Sequence, residues 1–358
     1  MLAHSTIIES NKKFVIHRRF DGTQKVRIPV SSNQELSAVQ IVAQTHRETG
    51  YEIVPVAEAL NLNSPDIKGY LTVKVGDEVK LGTLLAEHKR LLGRSRHITS
   101  KVEGTVSEII DGNIFISRMP EDVNLRALVS GRVTEVIPNT GVAIEVHGSR
   151  LQGIWSNGRE SAGKLLVQSD APDTRVTTST LDGDLYRSII VVGHLDRVDL
   201  LKQIADAGAR GMIAGSVSAE IYHAASDWHL PFILTDGVGS RGMYAEIFQL
   251  LSENSGNDVA LFSGKYSLSG RPEIIVNHKH DSDDGTVYRA SEIKRVEPAV
   301  GQTVRLLTGE NGGEIGKIIK VHSWPQTTPT GIKAEGADVQ FDSGESFFVP
   351  YANLDIIM

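Results

Sequence analysis

GTVSEIIDGNIFI (104–116) and GRVTEVIPNTGVAIEV (131–146) share one frame, Gly-x-Val-Ser/Thr-Glu-Ile/Val-Ile followed by a turn and a second strand, with starts 27 residues apart. Apolar and polar positions alternate in both, the period of a strand that buries one face and wets the other. Each is expected to be a β-hairpin, and two similar hairpins are most economically the halves of one sandwich-type barrel. LQGIWSNGRESAGKLLV (151–167), with Asn157-Gly158 as a turn, is expected to close it.

Just upstream, TVKVGDEVKLGTLL (72–85) and ITSKVEGTVSEI (98–109) together resemble the barrel-sandwich hybrid of lipoyl and biotinyl domains, with Gly76-Asp77 and Gly82 at turns and Gly104 opening the returning strand. The resemblance implies such a module over 61–170. Carriers of that family hold their modified lysine at the hairpin tip, and the matching position here is Gly93. Lys89 is four residues away and lacks the flanking methionines of the carrier motif, so no covalent cofactor is expected. The tip HKRLLGRSRH (88–97) instead carries Lys89, Arg90, Arg94 and Arg96, with no acid between Glu87 and Glu103. Guanidinium forks suit phosphate or carboxylate recognition, which points to an anion or an acidic partner. A solvated loop that keeps a sheet edge from self-pairing is the alternative.

Residues 1–60 read as an N-terminal arm. FVIHRRF (14–20) and QKVRIPV (24–30) flank the turn dipeptide Asp21-Gly22 and are expected to pair, and SNQELSAVQIVAQTHRETG (32–50) has Leu36, Val39, Ile41 and Val42 at helical spacing. Over 183–265 the pattern changes. Short apolar runs RSIIVVG (187–193), GMIAG (211–215) and PFILTD (231–236) alternate with amphipathic stretches 196–208, 218–228 and 240–254. That order implies right-handed crossovers and a small parallel α/β domain of Rossmann-like or flavodoxin-like type.

The ends of those strands, Gly193-His194, Gly215-Ser216 and Asp236-Gly237, mark the edge where open α/β sheets bind ligands. Gly237, Gly239 and Gly242 form a Gly-x-Gly-x-x-Gly match, and His194, Ser216, Gly237, Gly239, Ser240 and Arg241 are the candidate ligand residues. The match follows the third strand and no acid closes the next one, which is the wrong context for a dinucleotide. Glycines that simply make tight turns are the favoured reading, and a smaller anion such as phosphate on the exposed N–H groups is the alternative.

GQTVRLLTGENGGEIGKIIKV (301–321) resembles a KOW motif through Gly309, Gly313 and Gly316. That resemblance implies an SH3-like barrel over 298–358. RNA contact is the family's best-known use, but four basic residues face seven acidic ones in this stretch, which favours a protein partner. The loop His278, His280, Asp281, Asp283, Asp284 has metal-binding residue types in a stretch with no scaffold to fix geometry, so no metal is expected.

The expected fold class is thus multidomain α/β plus all-β, and the 358 residues, 40% hydrophobic with 23% charged, suffice for two or three cores. The absence of cysteine excludes disulfides, thiolate nucleophiles and Cys-type metal centres, and the net charge of −7 disfavours a whole-protein nucleic-acid binder. No apolar run is long enough for a membrane helix and no secretory signal opens the chain, so a cytoplasmic location is expected. No nucleophile–base pair has motif support. The leading expectation is a non-catalytic cytoplasmic binding or assembly protein without cofactor, using the basic loop and the C-terminal barrel. The alternatives are a transcription- or translation-associated nucleic-acid binder, whose basic arm would be Lys12, Lys13, Arg18 and Arg19, and an enzyme or sensor with a small anionic ligand at the strand ends.

Overall fold

The computed structural model describes residues 4–21, 25–47, 50–89, 95–176, 181, 183–266, 270–278, 297–307, 309 and 312–357. Of these, 48% lie in strands and 13% in helices. The α-helices are α1 (Val56–Leu60), α2 (Val198–Asp206), α3 (Ala219–Asp227) and α4 (Ala245–Glu253), none longer than nine residues. No helix among the described residues is long and apolar enough to cross a membrane. The chain divides into two compact units. One comprises Met1–Asp21, Ile28–Ala43 and Leu125–Met358, and the other Gly22–Arg27 and Gln44–Asn124.

The first unit is built on an eleven-stranded mixed sheet. Its parallel part is Ser161–Val167, Ser188–Leu195, Gly211–Val217 and Phe232–Val238, lying side by side in that order. Ile190, Val192, Met212, Ala214, Phe232 and Leu234 pack with α2 and α3 in one core cluster, and Ile189, Val191, Ile213 and Ile233 pack with α4 in another. Strands covered on both faces read as unbroken apolar runs, which is what 187–193 and 231–236 are.

This corrects the expected α/β domain. The sheet does not end at Ser161–Val167, because that strand also pairs antiparallel with Asp258–Phe262. Asp258–Phe262 pairs with Glu273–Asn277, which pairs with Gly141–Gln152, and so on to Gly131–Ile137 and Glu35–Leu36. A Rossmann-like or flavodoxin-like domain is therefore absent from this stretch; the parallel strands are one part of a mostly β fold. The strand–helix alternation was read correctly as local pattern, but the partners that extend the sheet come from segments distant in sequence.

Two expectations for the N-terminal arm fail as well. Ile8–Arg19 does not pair with 24–30; it runs antiparallel along the full length of Gly141–Gln152. The predicted helix over 32–50 is two strands, Glu35–Leu36 and Ile41–Arg47, with a turn between them closed by the Gln40 N–H donating to Ser37 O. Val39, counted on the helix's apolar face, stands exposed in that turn.

The two halves inferred from the 27-residue echo lie in different units, so they do not form one barrel. Gly104–Ile110 and Asn113–Arg118 form a hairpin of the second unit, in a four-stranded sheet with Tyr51–Val54 and Glu78–Val79. Gly131–Ile137 and Gly141–Gln152 form its counterpart in the eleven-stranded sheet. The likeness extends to register. Gly104 pairs with Val79 and Thr105 with Glu78, as Gly131 pairs with Leu36 and Arg132 with Glu35. Both hairpins carry an irregularity at the same place, between Val106 and Glu108 and between Val133 and Glu135. The second unit has its own core of Val56, Leu60, Ile67, Val79, Leu85, Val106, Ile114 and Ile116 among others.

The C-terminal segment forms a six-stranded sheet in the order His4–Thr6, Leu354–Ile357, Thr303–Leu306, Ile315–Val321, Gly336–Phe341, Ser346–Pro350. His4–Thr6 is its edge strand and pairs parallel with Leu354–Ile357.

Candidate functional site

The parallel strands place three chain reversals next to one another. Ser188–Leu195 delivers His194, Gly211–Val217 delivers Ser216, and Phe232–Val238 leads into Gly239-Ser240-Arg241. Arg175, in the chain before the first of these strands, bridges beside His194. Arg175, His194, Asp196, Ser218, Ala219, Val238, Gly239, Ser240 and Gly309 line a cleft of about 570 Å³, within the size range of small-molecule sites.

His194 is 3% exposed. Its Nδ1 lies 2.7 Å from Ser216 Oγ, and the Ser216 hydroxyl donates its only proton to the Arg241 carbonyl. Ser216 Oγ must then accept from His194, which places the imidazole proton on Nδ1 and leaves Nε2 as a lone-pair acceptor. Burial, opposed in part by Asp196 and reinforced by Arg175, holds the imidazole below its ordinary pKa and keeps it neutral at pH 7. Nε2 has no hydrogen-bond partner among the described residues.

α3 begins at the same cleft. Ser218 is its N-cap and accepts from the Ile221 N–H, so the amides of Ala219 and Glu220 are left without intrahelical acceptors. Arg175, 64% exposed at its side chain, pairs with Asp196 at 3.3 Å. Asp196 is held in this pair, and Arg197 occupies the N-cap position of α2.

The glycine match has a different role from a phosphate cradle. A Cβ on Gly237 would stand 2.7 Å from Leu307 O, one on Gly239 2.9 Å from Gly312 O, and one on Gly242 2.1 Å from Pro172 O. These glycines let neighbouring backbone approach. Arg241 turns its guanidinium to buried Glu314, 3.4 Å away, so it serves the cleft through its carbonyl on Ser216. Of the six predicted ligand residues, His194, Gly239 and Ser240 line the cleft, Ser216 and Arg241 support His194, and Gly237 packs against the C-terminal segment. Arg175, Asp196 and Ser218 were not foreseen; Ser218 was legible as a small polar residue just before a helical run.

The other sequence candidates lie elsewhere. In the basic tip, Arg90 and Arg94 are outside the described residues, Lys89 pairs with Glu87 at 3.2 Å, and Arg96 donates to Ala59 O at 3.2 Å. Of the basic arm, Arg18 is buried, bonded to Glu160 at 2.7 Å and stacked over Phe262. His278 spends both ring nitrogens, on Ser149 and Asn11, while His280, Asp281, Asp283 and Asp284 lie outside the described residues. Among the described residues no group of three or more acids and histidines is placed to hold a metal.

A comparison with known protein families and with curated protein sequences finds no match for the chain.

Proposed function

We propose that this is a non-catalytic binding protein whose ligand site is the His194 cleft, acting on a small anionic molecule in the cytoplasm. The observation that carries the reading is a buried, neutral imidazole that lines one cleft with the start of α3, where the Ala219 and Glu220 amides lack intrahelical acceptors. Polar groups that line a cleft can pair with what enters it. The Ser216–His194 pair speaks for binding: Ser216 is 1% exposed and its proton is committed to a main-chain carbonyl, so it is no nucleophile for His194.

Thermal denaturation with inorganic phosphate, sugar phosphates and small carboxylates tests the proposal. At least one should raise the melting temperature saturably, since ligand at about 100 times its Kd adds about 2.7 kcal/mol to stability. Melting that moves with none of them would remove the reading.

A further inference from the structure

We infer that Asn11, Ser149 and His278 form an acid-sensitive clasp on the large sheet: a neutral His278 closes it, and a proton on Nε2 opens it and frees residues 8–11 from Gly141–Gln152. The segment it holds joins His4–Thr6 of the C-terminal sheet to the eleven-stranded sheet.

The ladder is interrupted at this point. Along Ile8–Arg19, Lys12 pairs with Gly148 and Glu9 with Arg150, so Ser10 and Asn11 stand against the single residue Ser149. Asn11 has a φ of 49°, and its amide donates to a side chain, Ser149 Oγ at 3.1 Å, in place of a strand carbonyl. His278, whose main-chain N–H donates to His147 O, lays its ring across both residues. Nε2 lies 3.2 Å from Ser149 Oγ and Nδ1 3.0 Å from Asn11 Oδ1.

Ser149 fixes the protons. It is 0% exposed, and among the described residues its hydroxyl meets only the Asn11 amide and the His278 ring. Having accepted from the amide, the hydroxyl gives its proton to Nε2, which is therefore a lone pair. The ring proton sits on Nδ1 and goes to Asn11 Oδ1. Three bonds thus close a cycle that has no place for a second ring proton. To accept from an Nε2–H, the hydroxyl would leave its own proton buried without a partner.

No neighbouring charge offsets that cost. The His147 ring stands edge-on at 5.9 Å, with Lys13 opposite it on the first strand. The cavity of about 450 Å³ that His278 lines also carries Glu35, Arg132, Glu145 and Asp258. Glu145 is paired with Arg132 at 3.0 Å and Asp258 with Lys164 at 2.7 Å, and no carboxylate bonds the His278 ring. Burial and His147 hold the imidazole below its ordinary pKa. A histidine depressed in this way favours the closed state above about pH 6.5 and favours opening progressively as pH falls below it.

NMR and amide hydrogen exchange on the full chain test the clasp. Near pH 8 the His278 nitrogen shifts should show a proton on Nδ1 and none on Nε2, and the Asn11 amide should be protected. Towards pH 5.5 the Asn11 protection, corrected for intrinsic exchange, should fall several-fold and by at most about tenfold, the factor for one pH unit below an open-state pKa of about 6.5. The amides of Phe14 and Ile16, further along the same strand, should keep theirs. His278→Gln does not titrate and should make the Asn11 protection independent of pH over this range. Ser149→Ala, a change of one oxygen atom, should lower the protection already at pH 8, and it carries the test if the histidine variant does not fold. A ring proton on Nε2 at pH 8, or an Asn11 amide whose protection stays constant while His278 titrates, would overturn the inference. So would a loss shared equally by Phe14 and Ile16, which would make the acid effect one of the whole sheet.

Discussion

Arg305 is 0% exposed and its guanidinium holds two carboxylates, Asp236 and Asp355, each at 2.6 Å. Arg271 reaches Asp355 from the other side at 3.2 Å, and Thr6 donates to Asp355 at 2.5 Å. Two cations and two anions thus balance, with Arg305, Asp236 and Asp355 buried and Arg271 19% exposed, and they come from the end of a parallel strand, the segment before Glu273–Asn277 and two strands of the C-terminal sheet. Burial raises the Asp355 carboxyl, but Arg305, Arg271 and the Thr6 hydroxyl outweigh it and leave the group below its ordinary pKa. Arg305→Ala removes the cation shared by two buried carboxylates and should cost about 3–5 kcal/mol, read by chemical denaturation. The same network gives a pH dependence. A carboxyl whose pKa is depressed by folding stabilises fully above its unfolded value of about 4 and loses that contribution as pH falls through the lower folded value. The melting temperature should therefore drop below about pH 4, and drop less in Asp355→Asn, where no proton is taken up. The network was legible in part: Asp236, Arg305 and Asp355 are lone charges in the apolar runs PFILTD, TVRLL and NLDII, and charges in such runs are paired when buried. Which would meet which was not legible, because the partners are far apart in sequence.

Between residue and fold stands a repeated element. The Gly76 N–H donates to Val106 O and the Val106 N–H to Asp77 O; the Asn33 N–H donates to Val133 O and the Val133 N–H to Gln34 O. Val79, Leu85, Ala86 and Val106 are buried in one copy, and Leu36, Val42, Ala43 and Val133 in the other. The returning hairpin was visible because its frame repeats residue for residue. The leading strands were not, since Gly76 and Gly82 of one copy correspond in sequence to Asn33 and Val39 of the other, and the spacing of Leu36, Val39 and Val42 imitates a helix. Strand pairing overrode that spacing. Gly104 and Gly131 are equivalent, and a Cβ on either would meet backbone oxygen, at 2.1 Å from Ser117 O or 2.3 Å from Glu145 O. Gly104→Val and Gly131→Val should each cost about 1–3 kcal/mol, the range for forced overpacking. Equilibrium unfolding of the two variants checks this, and a neutral change in either would show that the copies tolerate different strand separations.

At the scale of the molecule, the repeat explains how the chain is threaded. In the second unit, Leu84–His88 and Arg96–Thr99 form a hairpin in which Glu87 faces His97 and His88 faces Arg96. In the other copy the equivalent strands are Ile41–Arg47 and Glu121–Arg126, which are neighbours in their sheet. Gln44 bonds Asn124 at 2.7 Å, His46 contacts Asp122, and Arg47 pairs with Glu121 at 3.1 Å, so Arg47 and Glu121 lie opposite each other at the end of the ladder. In sequence, residues 48–120 lie between these two strands and include the core residues from Val56 to Ile116. In sequence, one copy of the repeat thus lies between two strands of the other. Such an insertion leaves the host's ends as close as a hairpin turn requires, and closing that gap with two residues of positive φ suits the strand twist. Replacing 48–120 by Asn-Gly should therefore leave a chain that unfolds in one cooperative transition and keeps the ligand response of the His194 cleft, because none of the cleft residues lies in the removed stretch. Circular dichroism melting, with and without the phosphates and carboxylates that probe the cleft, is the measurement. A shortened chain that is unfolded or aggregates would mean that the host ladder needs its insert to close, and the two modules would then be one folding unit despite their separate cores.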